Sequence, residues 1–160
     1  MINQFIGPYS FLSNNYLHTI TIYGVQFSSV SHYICAMKAT SYDDLIDISQ
    51  SSDPFALISQ LPQRRDWNDV KLSIMEYAIY YKFCEPSLAN LLKSTQTVEL
   101  IDGYYDVDPN EDDKDFWAYN LHTNIGQNNN GKLLMKIRSF LISQDNYSLT
   151  YSTSCDYTDT

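Results

Sequence analysis

Basic residues are scarce in this chain. Ten Lys and Arg stand against nineteen Asp and Glu, for a net charge of −9. A protein held on extended nucleic acid by a broad basic surface is therefore disfavoured. Cysteine is sparse as well. Cys35, Cys84 and Cys155 are odd in number and contain no CxxC pair, so no disulfide framework is expected, and reduced thiols point to the cytoplasm. No stretch approaches the roughly 18 consecutive apolar residues of a membrane span. The opening MINQFIGPYSFLSNN lacks both a basic start and a sustained apolar run, so no signal peptide is expected. Of the three histidines, His18 and His122 match no pattern, and no His/Cys/Asp spacing suggests a metal site. No cofactor is implied.

What is present suits one globular domain. The chain has 160 residues, 44% of them hydrophobic and 14% aromatic, which excludes disorder throughout. Its acidity is unevenly spread. Thr97–Asp115 carries −7 and Ser139–Thr160 carries −3 of the −9, so the rest of the chain nets +1. A pocket in that near-neutral part is open to a small anionic ligand. The acidic run Asp102–Asp115 reads as a solvated loop, because it lacks the mid-loop Gly and terminal Glu of a Ca²⁺-binding EF-hand. Richness in Asn, Tyr, Ile and Ser is the composition of an AT-rich genome, viral ones included; the compartment would then be a host cytoplasm.

Periodicity predicts an α+β fold: mainly helical, with a small antiparallel sheet. Thr19–Ile22 and Val25–Phe27 flank Tyr23-Gly24 and read as a hairpin. Ser28 or Ser29 caps a helix to about Ala39, with Val30, Tyr33, Ile34 and Met37 on one face. Ser41 caps Tyr42–Ser49, and Asp53-Pro54 opens a helix through Leu61. Asp66 caps the longest helix, Trp67–Phe83, with Val70, Ile74, Tyr77, Ala78 and Tyr81 as its stripe; the tyrosines there read as packing. Pro86 opens another helix with Leu88, Leu91 and Leu92. Thr97–Ile101 reads as a strand, and the last helix runs from about Asn129 to Ile142. Residues 144–160 are almost wholly polar and read as a flexible tail behind a domain of residues 1–143.

Several short strings carry chemistry. In order they are Gly7-Pro8-Tyr9-Ser10-Phe11-Leu12-Ser13-Asn14, then Ser29-Val30-Ser31-His32-Tyr33, then Ala36-Met37-Lys38-Ala39. Trp67, Lys71, Met75 and Lys82-Phe83 follow, then Leu91-Leu92-Lys93-Ser94-Thr95, then Asp115-Phe116-Trp117. The last is Gly126-Gln127-Asn128-Asn129-Asn130-Gly131-Lys132-Leu133-Leu134-Met135-Lys136-Ile137-Arg138. Each string is weak alone. The ordered set resembles the YbiA-like (NADAR) family of N-glycosidases over about Phe5 to Leu141.

The resemblance implies a compact, mainly helical α+β domain. It also implies hydrolysis of the C1′–N bond of a ribosyl nucleotide, either an ADP-ribose-linked base or a phosphoribosylaminopyrimidine. Such a reaction passes through an oxocarbenium-like sugar, which a nearby carboxylate stabilises while activating water. Asp115 matches one family carboxylate. The other, a Glu directly before the His, is Ser31 here. A serine supplies neither negative charge nor a proton acceptor at pH 7, and losing a general acid/base typically costs ~10²–10⁴ in rate. Two further departures are Ala118 for a Gly after the Trp and Asn15 for an aromatic after Asn14.

The remaining matched positions imply ligand contacts. Phe11, Ser13 and Asn14 lie on a loop, where Ser and Asn also make local turns. His32 lines the pocket or packs as structure. Lys38, two helical turns from Ser31, binds phosphate or is solvated. Trp67 and Trp117 stack on a base or pack in the core. Gly126 and Asn128 open the last helix, where free N–H groups suit an anion, or form an ordinary turn. Cys35 reads as core.

Three accounts of Ser31 stand: a natural loss, an engineered knock-out, or transfer of the chemistry to another carboxylate, Asp115 foremost. They lead to an N-glycosidase, to an inactive ADP-ribose or nucleotide binder that sequesters or recognises its ligand, or to an interaction protein with a decayed pocket.

Overall fold

The computed structural model describes residues 1–105 and 113–148. A 3₁₀ turn, Gly7–Leu12, leads into the hairpin β1 (Ile20–Ile22) and β2 (Val25–Phe27), paired antiparallel with Ile20 opposite Phe27. Tyr23 and Gly24 have φ of 50° and 79°. Both are left-handed, the backbone a two-residue type I′ turn requires. Ile20, Ile22 and Phe27 point inward, while Thr21 and Gln26 stay in solvent.

Seven helices follow among the described residues: α1 (Val30–Met37), α2 (Tyr42–Ser49), α3 (Pro54–Ser59), α4 (Trp67–Lys82), α5 (Pro86–Ser94), α6 (Lys114–Trp117) and α7 (Asn129–Ser148). Side-chain caps start four of them. Ser29 Oγ accepts from the His32 N–H, Ser41 from Asp44, Asp53 from Ala56 and Glu85 from Leu88. Asp66 occupies the cap position of α4 without capping it, because Arg64 takes its carboxylate in a two-pronged ion pair at 2.7 and 2.9 Å.

Helix α1 is the hub. It packs against α2, α3 and α4, and α7 closes over α4 and α5. The expected single apolar face of α1 is too narrow a reading: every residue from Val30 to Ala36 is buried. The stripe of α4 is also rotated from the expected one. Its buried residues are Lys71, Met75, Ala78, Ile79 and Lys82, while Val70, Ile74, Tyr77 and Tyr81 are half-buried. A reading that counts only apolar side chains passes over a buried face that carries two lysines.

Two further expectations are corrected. Thr97–Ile101 is not a strand. Only Leu100 pairs, in a parallel bridge to Ile2, since the Ile2 N–H donates to Glu99 O and the Ile101 N–H to Ile2 O, both at 2.8 Å. The short parallel pair lies just beyond, between β3 (Gly103–Tyr104) and β4 (Tyr119–Asn120). The last helix does not stop near Ile142 but runs to Ser148, which makes it longer than α4. No Gly or Pro interrupts it after Gly131, and Asp145 ties its end to Lys93 of α5 at 2.6 Å. Residues 106–112, most of the acidic loop, and residues 149–160, most of the expected tail, lie outside the described residues.

Gly131 admits α7 to its place. A Cβ there would stand 2.2 Å from Leu100 O and 2.5 Å from Asn128 Oδ1. We therefore expect Gly131→Ala to cost about 1–3 kcal/mol through overpacking, seen as a lower denaturant midpoint at unchanged slope. An unchanged midpoint would mean that the Leu100 segment yields freely.

Candidate functional site

The N-terminal loop and two helices bring the first group of motif residues together. The Ser31 N–H, in the first turn of α1, donates to Asn14 O at 3.0 Å. Ser31 Oγ donates to Asn15 Oδ1 at 2.5 Å. Asn14 Nδ2 reaches Met75 Sδ of α4 at 3.5 Å. Lys82, further along α4, donates from Nζ to Ser13 O at 2.7 Å and so pins the start of this loop. Two of the three positions that the resemblance marks as departures, Asn15 and Ser31, are thus direct hydrogen-bond partners.

A second group lies along the same face of α4 toward its start. Lys38, at the end of α1, sits over the Trp67 ring, 5.2 Å from its centroid. The Trp67 Nε1–H is buried and has no hydrogen-bond partner among the described residues. One turn on, Lys71 Nζ contacts Asp113 Oδ2 and Asn68 Oδ1, each at 2.9 Å, and lies 4.0 Å over the Phe116 ring. Phe116 in turn meets Trp117 edge-on at 4.7 Å between centroids. Residues four apart on a helix share a face. Trp67, Lys71 and Met75 therefore form one row linking Lys38 to Asn14 and Ser31.

The other expected residues sit outside this row. Phe11 is buried in the core. His32 is buried with both ring nitrogens engaged: Nδ1 to Ser29 Oγ at 2.8 Å and Nε2 to Ser51 O at 3.0 Å. A carbonyl only accepts, so Nε2 carries a proton, and in that tautomer Nδ1 accepts from the Ser29 hydroxyl. Asp115 is exposed; its carboxylate accepts from the Tyr104 hydroxyl. Trp117 is half-buried against the core.

Asn128 works as a clamp. Its Nδ2 donates to Leu100 O at 3.0 Å and its Oδ1 accepts from the Asp102 N–H at 2.9 Å, as a neighbouring strand would. Gly126 has φ of 136° and abuts Ala118 and Tyr119, where a Cβ would stand 2.4 Å from Ala118 O. Gln127 N–H and Asn129 Nδ2 hold the carbonyls of Asp115 and Phe116. The Gly126–Gly131 string thus cradles α6.

Lys71, Met75 and Lys82 stand in the matched strings without a role in the sequence reading, and Asn15, Asp113 and Phe116 were not among the expected contacts. One signal for the lysines was available. On a helical wheel Lys71 and Lys82 share the face of Met75, Ala78 and Ile79. The asparagine, aspartate and phenylalanine depend on contacts between distant segments, which local patterns do not carry.

Burial shifts the titration of Lys82 and Cys35. Lys82 is 1% exposed, and loss of hydration pushes its ammonium from the ordinary 10.5 down to about 7. Cys35, fully buried in α1, has its thiol pushed up to about 12 and is inert. Two surface grooves, of about 480 and 510 Å³, lie elsewhere, between the hairpin and α2 and between α4 and α7. Neither is lined by an expected site residue. Among the described residues no trio of His, Cys, Asp or Glu could hold a metal ion, and no helix is long and apolar enough to cross a membrane.

The architecture is that of a mainly helical α+β domain with small sheets. The NMR structure of the E. coli protein YbiA has a similar fold, with a TM-score of 0.73 over 98% of this chain and 94% of that one, at 23% identity. Residues 2–142 match the NADAR domain, and the chain belongs to that family. A riboflavin biosynthesis protein of Vibrio vulnificus (strain YJ016) is 28% identical over 151 residues. The match covers 88% of this chain and 38% of that relative, so the chain spans well under half its length.

The depressed pKa of Lys82 makes a stability prediction. Between about pH 7 and 10.5 the unfolded chain holds this proton and the folded one does not, so stability rises with pH through that window. The unfolding free energy of the wild type minus that of Lys82→Met should climb by up to ~1.4 kcal/mol per pH unit there. Denaturant titrations at pH 7, 8.5 and 10 measure it. A flat difference would show that the amine keeps its proton in the fold.

Proposed function

We propose that the row from Lys38 and Trp67 to Asn14 and Ser31 recognises a ribosyl nucleotide, of ADP-ribose or phosphoribosylaminopyrimidine type. Hydrolysis of its C1′–N bond, the N-glycosidase reaction associated with the family, is weak in this chain. One observation carries the reading. Position 31, at the buried start of α1 and beside Asn14 and Asn15, bears a neutral hydroxyl where the reaction calls for a carboxylate. The oxocarbenium-like sugar then lacks the adjacent negative charge that lowers its energy. Asp115, the carboxylate that the resemblance offers for activating water, is held outside the row by the Tyr104 hydroxyl, in keeping with weak turnover. Lys38 serves the phosphate, Trp67 and Trp117 serve the base, and Asn14 the ribose hydroxyls. The Vibrio relative, named for riboflavin biosynthesis, supports the aminopyrimidine branch of the substrate class.

A binding-only reading is favoured by one detail: Ser31 Oγ is already spent on Asn15 Oδ1. Ser31→Glu separates the two. Asn15 is exposed and can move aside for the longer side chain. Wild type and variant should be incubated with ADP-ribose, NAD, ADP-ribosylated guanosine and ribosylaminopyrimidine phosphates, with thermal shift and product analysis read together. The wild type should be stabilised by at least one of them with little product, and Ser31→Glu should cleave about 10²–10⁴ faster. Stabilisation by none would overturn the nucleotide site. Stabilisation without cleavage in either protein would leave a binder alone, and rapid wild-type turnover would overturn the weak activity.

A further inference from the structure

Lys71 occupies the middle of the row. Its neighbours on the same face are Trp67 one turn before and Met75 one turn after, and Met75 touches Asn14 beside Ser31. Its side chain is 7% exposed. Burying an ammonium is costly, and an apolar residue of the same length would usually fill such a place at no loss. Lys71 as a plain packing residue is therefore a poor solution, and its contacts suggest another use. One side of the ammonium is held by the neutral Asn68 Oδ1 and by the Phe116 ring. Its one negative partner among the described residues is Asp113, which is far less buried, with 31% of its side chain exposed. Asp113 is also the cap residue of the four-residue α6, at φ 66°, and its side chain makes no cap bond there. Its carboxylate thus reaches Lys71 from the solvent side at no gain to its own helix.

A second observation points to a missing acceptor. The Trp67 Nε1–H is buried, one turn from Lys71, and has no partner among the described residues, whereas buried donors are nearly always paired. Lys38 lies over the same indole. Lys71 and the unsatisfied Trp67 N–H on adjacent turns of α4, with Lys38 at the end of α1 over the indole, form the complement of a phosphoryl group, which offers several acceptor oxygens and negative charge.

We propose that Lys71 is the principal anion-binding residue of this site, and that Asp113 is an internal substitute for the ligand's phosphoryl group, released when that group takes its place. The proposal rests on the reading that a ribosyl nucleotide occupies the row. Asp113 then acts as a competitor: it holds Lys71 in the empty site and discriminates against weak or uncharged ligands.

The test exploits opposite signs. Asp113→Asn removes the competitor, so ADP-ribose and inorganic pyrophosphate should each bind about three- to tenfold more tightly by calorimetry, since the apparent affinity rises with the fraction of Lys71 free to bind. Lys71→Met should weaken both by about tenfold or more, the loss of one charge-assisted hydrogen bond, while Lys71→Arg retains most of the affinity. If Lys71 and Asp113 merely pin α6 to α4, Asp113→Asn weakens or leaves unchanged the binding of both probes, which overturns the proposal. Should the wild type bind pyrophosphate but no ribosyl nucleotide, a gain in Asp113→Asn still upholds the anion site while the nucleotide reading fails. Binding of ADP-ribose that is indifferent to both variants upholds that reading and overturns this inference. Circular dichroism of each variant checks that the fold is retained.

Discussion

A helix of eight residues is too short to persist on its own hydrogen bonds, so α1 exists only because other elements enclose it. Val30 to Ala36 are all buried, and α2, α3 and α4 supply the walls. The site inherits its geometry from this enclosure. Ser31 and Lys38 stand near opposite ends of α1, so neither end can shift without repacking the core. The polar groups carried inside are satisfied locally. Ser29 caps the helix and also donates to His32 Nδ1, and His32 Nε2 closes on Ser51 O. The first-turn N–H of Ser31 is taken by Asn14 O. Chain ends of this kind commonly hold anions through free N–H groups, but here the loop has claimed that role. An anion bound beside α1 would need cations from elsewhere.

Those cations lie on α4, the other wall of α1. Lys71 and Lys82 are both carried into the interior on one face, yet their partners differ. Lys82 meets a carbonyl and the rings of Tyr16 and Phe83, with no carboxylate in contact among the described residues. Its cheapest state near neutrality is partly the free amine, and its work is to fasten Ser13 so that Asn14 and Asn15 face Ser31. Lys71 has a carboxylate at contact distance and an aromatic face below it. One helix thus carries a fastener and an exchangeable charge eleven positions apart. Their environments, rather than their chemical type, assign the tasks.

What the sequence made legible follows from the range of each signal. The hairpin is announced by alternation around Tyr23-Gly24, and the caps Ser29, Ser41 and Asp53 stand beside the turns they start. These are interactions over two or three residues. The misread elements depend on distant partners. Leu100 pairs with Ile2 at the other end of the chain, and on its far side the amide of Asn128 stands in for a strand. No local pattern at Thr97–Ile101 reports either fact. The length of α7 depends likewise on Lys93 reaching Asp145. For the site, the fold brings Asn14, Ser31, Lys38 and Trp67 of the ordered strings into one row. The strings did not distinguish Asn128 and Gly126, which hold α6 and the Leu100 segment, from residues facing the row. Family strings mark positions under constraint, and a clamp is constrained as tightly as a ligand contact.

The acidity of the chain takes on a different meaning beside Lys71. Fixed charges separated from a ligand by more than about 8 Å of physiological electrolyte are largely screened. The total of −9 therefore governs the approach of a long polyanion, which must lie across many such charges, far more than that of a single nucleotide. For the small ligand the deciding charge is the one already in contact with the site's cation. Asp113, near the end of the acidic run, stands at that point, 2.9 Å from Lys71. A phosphoryl group that displaces it brings more negative charge and more acceptor oxygens to the same ammonium, and meets the unpaired Trp67 N–H as well. A neutral sugar or nucleoside brings none of these and leaves the ion pair closed. Selection by exchange of this kind uses acidity as a filter, so an acidic segment and an anion-binding site belong to one device.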